Sequence, residues 1–206
     1  EQCFKNALTS LPMGGAKGGA DFDPKGKSEG EIMRFCQSFM DELVRHIGAD
    51  TDVPAGDIGV GHQEIGYMYG RYLKLRNESV GVLTGKGMNF GGSFARPEAT
   101  GYGAVYFLCA MLRAHNQSLK GKPVLISGAG NVALHAAEKC VQIGAIVRTV
   151  SDSRGVLVKH DGFTHEDLEQ IKQIKLLDRK SLKIAHKHCP HSEYKEGANV
   201  WEEQGE

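Results

Sequence analysis

Apolar residues recur at helical spacing in three stretches of the chain. Ser28-Glu-Gly-Glu31 has the pattern of a capping box at a helix start. The helix predicted after it has one apolar face, made of Ile32, Met33, Cys36, Phe39, Met40, Leu43, Val44 and Ile47. A glycine-rich turn at 55–61 precedes a second predicted helix, from Glu64 to about Leu75. Pro97 suits the first turn of a third, whose expected buried stripe is Ala104, Val105, Phe107, Leu108, Met111 and Leu112.

The hydrophobic period changes after Lys122. Residues 123–127 and 145–150 are short apolar runs, which are typical of buried parallel strands. The helix predicted between them has expected buried positions at Val132, Ala136, Ala137, Cys140 and Val141. The order strand, helix, strand predicts a parallel sheet with right-handed crossovers. We also expect a strand at 2–10 and surface helices at 164–185.

Composition excludes several classes of function. The 25 basic and 25 acidic side chains of the 206 residues cancel, so a nucleic-acid partner is not expected. No apolar run approaches the ~20 residues that span a bilayer, so a membrane is not expected either. The five cysteines are scattered and odd in number, which favours a reducing cytoplasm over a disulfide framework.

A dinucleotide-binding pattern lies between the two predicted strands. Gly128-x-Gly130-x-x-Ala133 follows the first strand and opens the helix, which is the context this fingerprint requires. Gly128 would make the tight turn, and Gly130 would let a pyrophosphate reach the amides at the helix N-terminus. The alternative is a glycine turn in an ordinary strand–helix unit.

Asp152 ends the second strand, where an acid contacts the adenine ribose 2′-hydroxyl of NAD. Ser151, Ser153 and Arg154 flank it, and hydroxyls with a guanidinium suit the 2′-phosphate of NADP. We therefore expect NADP as the cofactor, with NAD the less favoured alternative.

A second candidate site lies near the start of the chain. In the run Leu11–Pro24, Lys17 stands between two glycine pairs, where partial desolvation can lower the pKa of a lysine and make it catalytic. Asp57 lies in another glycine-containing turn, Asp52–Gly59. The plain alternatives are a solvated glycine turn and a turn-forming aspartate.

These motifs together resemble the hexameric, NADP-dependent glutamate dehydrogenases of the Glu/Leu/Phe/Val dehydrogenase family. The matches run collinearly as Phe4–Thr9, Leu11–Pro24, Asp52–Gly61, Thr84–Gly87, Gly91–Ser93, Arg96–Gly103 and Gly128–Ala133. The resemblance implies an α/β fold class: part of an α/β substrate domain at 1–92, followed by the first part of a Rossmann-like, doubly wound dinucleotide-binding domain at 93–206. Four glycines between Gly85 and Gly92 mark the boundary.

The resemblance also implies an activity, the reversible oxidative deamination of L-glutamate to 2-oxoglutarate and ammonium with NADP(H) by a cytoplasmic homohexamer. Lys17 and Asp57 match the catalytic positions, and Gln2, Lys5 and Gly56 match positions that bind the substrate. The cofactor positions are Thr100, Gly128, Gly130, Asn131, Val132, Asp152 and Ser153.

The chain lacks an initial Met and ends in the charged tail Glu202–Glu206, so we expect an internal fragment that is inactive and aggregation-prone by itself. By resemblance, the groups that bind the far carboxylate of glutamate would lie outside it. Two alternatives stay open: another amino acid dehydrogenase of the same superfamily, and a catalytically dead homologue that acts in binding or assembly. No metal is expected, because His186-Lys-His188-Cys189-Pro-His191 is better explained as a polar helix end.

Overall fold

The computed structural model describes residues 2–94, 97–178 and 180–203, and the chain divides into two units at Ala95 and Arg96. In the first unit, α1 is Gln2–Ala7, α2 is Glu29–Leu43 and α3 is His62–Arg76, followed by a 3-10 turn at Met88–Phe90. The helices and strands of the second unit are α4 Ala99–Ala114, β1 Pro123–Leu125, α5 Asn131–Ile143, β2 Ile146–Asp152, β3 Gly155–Val158, α6 His165–Lys172 and β4 Glu193–Glu196. A π-helical turn at Gln173–Leu177 extends α6, and 3-10 turns cover Leu182–Lys187 and Val200–Glu202. The functional domains expected at 1–92 and 93–206 stay a prediction.

Helices α2 and α3 form the core of the first unit, which confirms both predicted helices. Ser28 and Glu31 form the predicted capping box at the start of α2. The apolar faces of the two helices meet in a buried cluster of Cys36, Met40, Ile65, Met68, Tyr69, Tyr72, Val82 and Leu83. The guanidinium of Arg71 on α3 donates to both carboxylate oxygens of Asp41 on α2, at 2.6 and 2.9 Å, and so fixes how the helices pack.

The strand expected at 2–10 is wrong. Residues 2–7 are helical instead, and none of them is buried. Phe4 and Leu8, which gave the segment its apolar character, are 80% and 88% exposed. A half-buried strand needs one face packed on a core, and these two side chains pack on none. The backbone forms a helical hydrogen bond instead, in which the Leu8 N–H donates to the Phe4 carbonyl at 3.3 Å.

The second unit contains one mixed four-stranded sheet in the order β1-β2-β3-β4. Strands β1 and β2 are parallel and joined through α5, as predicted. The two remaining pairs are antiparallel, which the sequence analysis missed. The fully buried run Gly155–Val158 pairs back onto β2 through a tight turn at Ser153 and Arg154, so a hairpin replaces a further helical crossover.

Three predicted burial patterns need correction. On α4, Val105 is buried and Leu108 and Leu112 pack on the core, whereas Phe107 and Met111 are 69% and 51% exposed and Ala104 is exposed too. The helix packs mainly on α5, and Phe107 and Met111 lie on a side that the described residues leave uncovered. Pro97 lies before the helix, because Glu98 is its N-cap.

On α5, Val132 is 47% exposed, and Leu134 occupies the buried position instead. The helix begins at Asn131, so Val132 lies in its first turn. Residues 164–185 do contain helical segments, but Leu168, Ile171, Ile174, Leu182 and Ala185 belong to the core. No helix in the described part of the chain combines the length and apolar character needed to cross a membrane.

A buried ion pair stabilises the start of α6. Lys159 Nζ lies 2.6 Å from Asp167 Oδ2, and the side chains are only 10% and 6% exposed. The same oxygen accepts the Thr164 backbone N–H at 2.8 Å, and the Thr164 hydroxyl accepts the Asp167 N–H. The aspartate thus both caps the helix and neutralises a buried lysine.

Asp167→Ala should lower the free energy of unfolding by about 3–5 kcal/mol, because it leaves Lys159 charged and buried without its partner. Urea unfolding followed by circular dichroism measures the change. Glu196→Ala is the matched control, since it removes the carboxylate of the exposed pair with Lys183 and should change stability little. Equal losses in the two variants would contradict this account of the buried pair.

Candidate active site

The glycine loop that carries Lys17 is held against α1. Asn6 Nδ2 donates to the Gly14 carbonyl at 2.6 Å, and the Cys3 thiol donates to the Gly15 carbonyl at 3.6 Å. A Cβ at Gly15 would lie 2.6 Å from the backbone carbon of Gln2, so only glycine permits this approach. The short helix therefore fixes where the loop begins its path toward Lys17.

Lys17 and Asp57 form an ion pair in the first unit, with side chains 56% and 52% exposed. Asp57 lies in a turn closed by the Val60 N–H, which donates to the Asp57 carbonyl at 2.9 Å, and Gly56 precedes it in that turn. The Ile58 N–H donates to Asp57 Oδ1 at 2.8 Å. The hydrogen bond from Lys17, then the Ile58 N–H and the charges of Lys17 and Lys5, hold the pKa of Asp57 below its usual value.

The first unit thus brings together the residues expected to act on substrate. Gln2 borders the loop at Gly15, and the charge of Lys5 reaches the Asp57 carboxylate. Gly56 adjoins Asp57 in the chain, and the Lys17 ammonium group donates a hydrogen bond to the Asp57 carboxylate. The result is a half-exposed group of two cations and one anion, which can accept a proton at Asp57 and bind an anionic ligand at the lysines.

The glycine turn of the second unit has the geometry that a dinucleotide needs. Gly128 has φ +109°, a conformation that L side chains rarely adopt. Its N–H donates to Ser151 Oγ at 2.8 Å, and its carbonyl accepts the Ser151 N–H at 3.1 Å, so β2 fixes the turn. Gly130 is the N-cap of α5 and has open space where a Cβ would stand. A pyrophosphate fits such an open approach to helix-terminal amides.

Thr100 and Asn131 lie at neighbouring helix starts. Asn131 Nδ2 donates to the Pro97 carbonyl at 2.7 Å, which ties the segment before α4 to the first turn of α5. Thr100 is exposed in the first turn of α4, and Val132 is exposed in that of α5. The structure therefore gathers Thr100, Gly128, Gly130, Asn131 and Val132 around one surface of the second unit.

Asp152 is engaged in internal contacts. Its Oδ2 accepts from Lys175 Nζ at 3.2 Å and from the Leu182 N–H at 2.9 Å, and its Oδ1 accepts the Arg154 N–H at 3.0 Å. Although burial raises the pKa of Asp152, these donors and the charge of Lys175 outweigh it and keep the pKa below its usual value.

Ser153 and Arg154 are exposed in the turn after Asp152. Lys175 was not singled out from the sequence, because it belongs to a charged, periodic stretch and its contact with Asp152 spans 23 residues.

The side chains of the histidine-rich segment 186–191 form no metal-ligand cluster among the described residues. The buried Cys189 thiol is directed to the Asp167 carbonyl, and His186 contacts Ser192. Within the described ranges, ligand atoms converge only at Glu138, His165 and Glu169. Lys172 already lies 3.1 Å from Glu138 and 2.9 Å from Glu169, so the lysine supplies the cation there.

The parallel β1–α5–β2 unit, with its glycine turn at the head of α5, defines the second unit as a dinucleotide-binding fold of the Rossmann type. Two family models match this chain, one in each unit. The Glu/Leu/Phe/Val dehydrogenase dimerisation domain matches residues 1–74, and the Glutamate/Leucine/Phenylalanine/Valine dehydrogenase domain matches residues 91–205. The chain belongs to the Glu/Leu/Phe/Val dehydrogenase family.

Individual relatives agree with the family. The NADP-specific glutamate dehydrogenase of Giardia intestinalis is 60% identical over 202 residues, which are 98% of this chain and 45% of that protein. The NAD(P)-specific glutamate dehydrogenase of Xylanibacter ruminicola is 56% identical over 207 residues, covering 100% of this chain and 46% of that protein. The crystal structure of Plasmodium falciparum glutamate dehydrogenase matches with a TM-score of 0.89 and 50% identity, over 97% of this chain and 43% of its own. The chain thus spans less than half the length of these relatives.

Lys17→Met should raise the pKa of Asp57 toward its ordinary value, because the substitution removes the hydrogen-bond donor that contributes most to lowering it, together with the lysine charge. Carboxyl-carbon NMR titration of Asp57 measures the shift. Lys25→Met removes an equal charge from a turn eight residues further along the chain and serves as the control. An unchanged Asp57 titration in the Lys17 variant would show that the ion pair does not persist in solution.

Proposed function

We propose that the complete protein containing this chain is an NADP-dependent glutamate dehydrogenase. It converts L-glutamate, water and NADP⁺ reversibly into 2-oxoglutarate, ammonium, NADPH and a proton. The proposal rests on the ion pair of Lys17 with Asp57, which forms because the glycine loop that carries Lys17 lies against α1. The names of the relatives and membership of a family of amino acid dehydrogenases support it.

Asp57 would carry the proton transfer, and Lys17 would stabilise the charge that develops on oxygen. Their ion pair keeps Asp57 ionised, so its carboxylate can take a proton from the substrate ammonium group before Cα is oxidised. Bound NADP⁺ supplies the hydride acceptor. Lys17 would then stabilise negative charge on the oxygen that develops when water adds to the imine, and in reverse it would polarise the keto group of 2-oxoglutarate.

The groups around this pair suit an amino acid carboxylate. We assign the substrate α-carboxylate to Lys5 and Gln2 on α1, with the Gly56 backbone as a further contact. Lys5 lies close enough for its charge to act on Asp57, so a carboxylate bound there would lie next to the proton acceptor.

The cofactor site is assigned to Gly128, Gly130, Asn131, Val132 and Thr100, with the pyrophosphate over Gly130. NADP is favoured over NAD because the contacts of Asp152 with Lys175, Leu182 and Arg154 compete with a ribose hydroxyl. We assign Asp152 and Ser153 to the cofactor site, with Asp152 as the group that orients the turn. Exposed Ser153 and Arg154 then remain available to a 2′-phosphate.

We further propose a cytoplasmic homohexamer with a substrate domain at 1–92 and a cofactor domain at 93–206. All five cysteines are free thiols, as a reducing compartment requires. The family model over residues 1–74 is named for dimerisation, and exposed Phe4, Leu8 and Ile58 there offer apolar contact area.

Lys17→Ala in the complete enzyme should lower kcat by about 100-fold to 10,000-fold, because it removes the group that stabilises the developing oxyanion. Binding of NADPH, followed by its fluorescence, should persist. Lys25→Ala, which changes an equal charge in a nearby turn, should leave turnover nearly intact. Turnover close to normal in the Lys17 variant would refute the assignment.

The enzyme should prefer NADPH over NADH in kcat/KM by about tenfold or more, since charge-assisted hydrogen bonds to the 2′-phosphate are absent with NADH. Arg154→Ala should reduce kcat/KM for NADPH and leave the value for NADH nearly unchanged. A wild-type preference for NADH would mean that Asp152 gives up its internal partners and binds the ribose.

A further inference from the structure

Helix α4 approaches α5 more closely at Gly101 than any side chain would permit. A Cβ on Gly101 would lie 2.6 Å from the Val132 carbonyl oxygen, 2.7 Å from the Ala136 nitrogen and 2.9 Å from the His135 Cβ. Two of these atoms are backbone, so no rotamer change can relieve the contact. A methyl group at Gly101 would have to separate the helices by about 1 Å to reach ordinary van der Waals distance.

This contact lies beside the candidate dinucleotide site. Thr100 precedes Gly101 in α4, and Val132, whose carbonyl meets Gly101, belongs to the first turn of α5. The Asn131 amide bonds the Pro97 carbonyl at 2.7 Å, so both helix starts are joined on that side as well. A shift of α4 at Gly101 must therefore move Thr100, strain the bond from Asn131, or do both.

We propose that Gly101 is a positioning residue for the dinucleotide: it sets the spacing between α4 and the first turn of α5 and thereby places Thr100 and Asn131 for cofactor binding. The inference rests on the proposed function, since it assumes that the cofactor occupies the surface formed by residues 100 and 128–132. Gly101 touches no reacting group, and its effect passes through the two helix starts.

A second glycine in α4 separates this role from helix propensity. Gly103 is exposed, and a Cβ there would meet nothing within 4 Å. Glycine destabilises a helix interior relative to alanine, so replacement by alanine should favour the helix at both positions. Only at Gly101 does packing oppose the substitution, which makes Gly103→Ala a matched control.

The test compares Gly101→Ala and Gly103→Ala in the full-length enzyme. For Gly101→Ala we expect KM for NADPH and the dissociation constant from NADPH fluorescence to rise about tenfold, with KM for 2-oxoglutarate unchanged within about twofold. Gly103→Ala should match the wild type in all three. Unchanged NADPH affinity in Gly101→Ala, or an equal change in all constants, would overturn the proposal.

Tyr102→Phe covers the case in which Gly101→Ala does not fold. The Tyr102 hydroxyl donates to Glu138 Oε2 at 3.0 Å and accepts from Gln142 Nε2 at 3.2 Å, so it joins α4 to α5 and its loss should loosen the same spacing. We expect about a threefold rise in KM for NADPH alone; wild-type affinity would overturn the proposal. A wild-type enzyme that binds no NADPH would instead refute the proposed function, so the two failures are distinguishable.

Discussion

Backbone segments approach each other too closely for a side chain at Gly15 and at Gly101, and each candidate ligand site depends on one of these approaches. At Gly15 the loop that carries Lys17 lies against the first residues of α1. At Gly101 helix α4 lies against the first turn of α5. In both places residues expected to contact a ligand lie close to the contact along the chain, namely Gln2 and Lys17 at Gly15, and Thr100 and Asn131 at Gly101. The position of the ligand-binding groups is therefore set by packing of the backbone, which is stiffer than a long side chain.

The ionic pairs of the chain differ in exposure, and so differ in what they can do. Lys159 and Asp167 are buried and surrounded by further hydrogen bonds, which suits a structural pair that holds α6. Lys17 and Asp57 are about half exposed, so a substrate can replace part of their contact without leaving a buried charge unpaired. The pair between Lys175 and Asp152 is intermediate in exposure. It holds the Asp152 carboxylate that orients the turn at Ser153.

Family membership and the geometry of the sites support the proposed function in different ways. The family models cover residues 1–74 and 91–205 and establish descent. The geometry adds what descent alone does not: an ionised Asp57 next to Lys17, and a Gly128 turn fixed by Ser151. Because the chain spans less than half the length of these relatives, the activity and assembly are proposed for the complete protein.

The sequence alone determined the elements whose signals are local. The capping box at Ser28 and the β1–α5–β2 order with its glycine turn depend on neighbouring residues, and both were predicted. Lys17 and Asp57 were singled out because each lies in a glycine-containing turn, although their contact spans 40 residues. The sequence could not show the antiparallel pairing of β3 and β4, because strand partners are chosen across the sheet.

Only the tertiary structure decided which apolar residues are buried. Phe4 suggested a strand but lies on an exposed helix, and Phe107 and Val132 are exposed where helical periodicity placed them inside. Periodicity shows that a face is apolar, whereas burial depends on which neighbour covers it. The Lys175 contact of Asp152 and the tight crossing at Gly101 likewise join residues distant in sequence, and no local pattern encodes such distances.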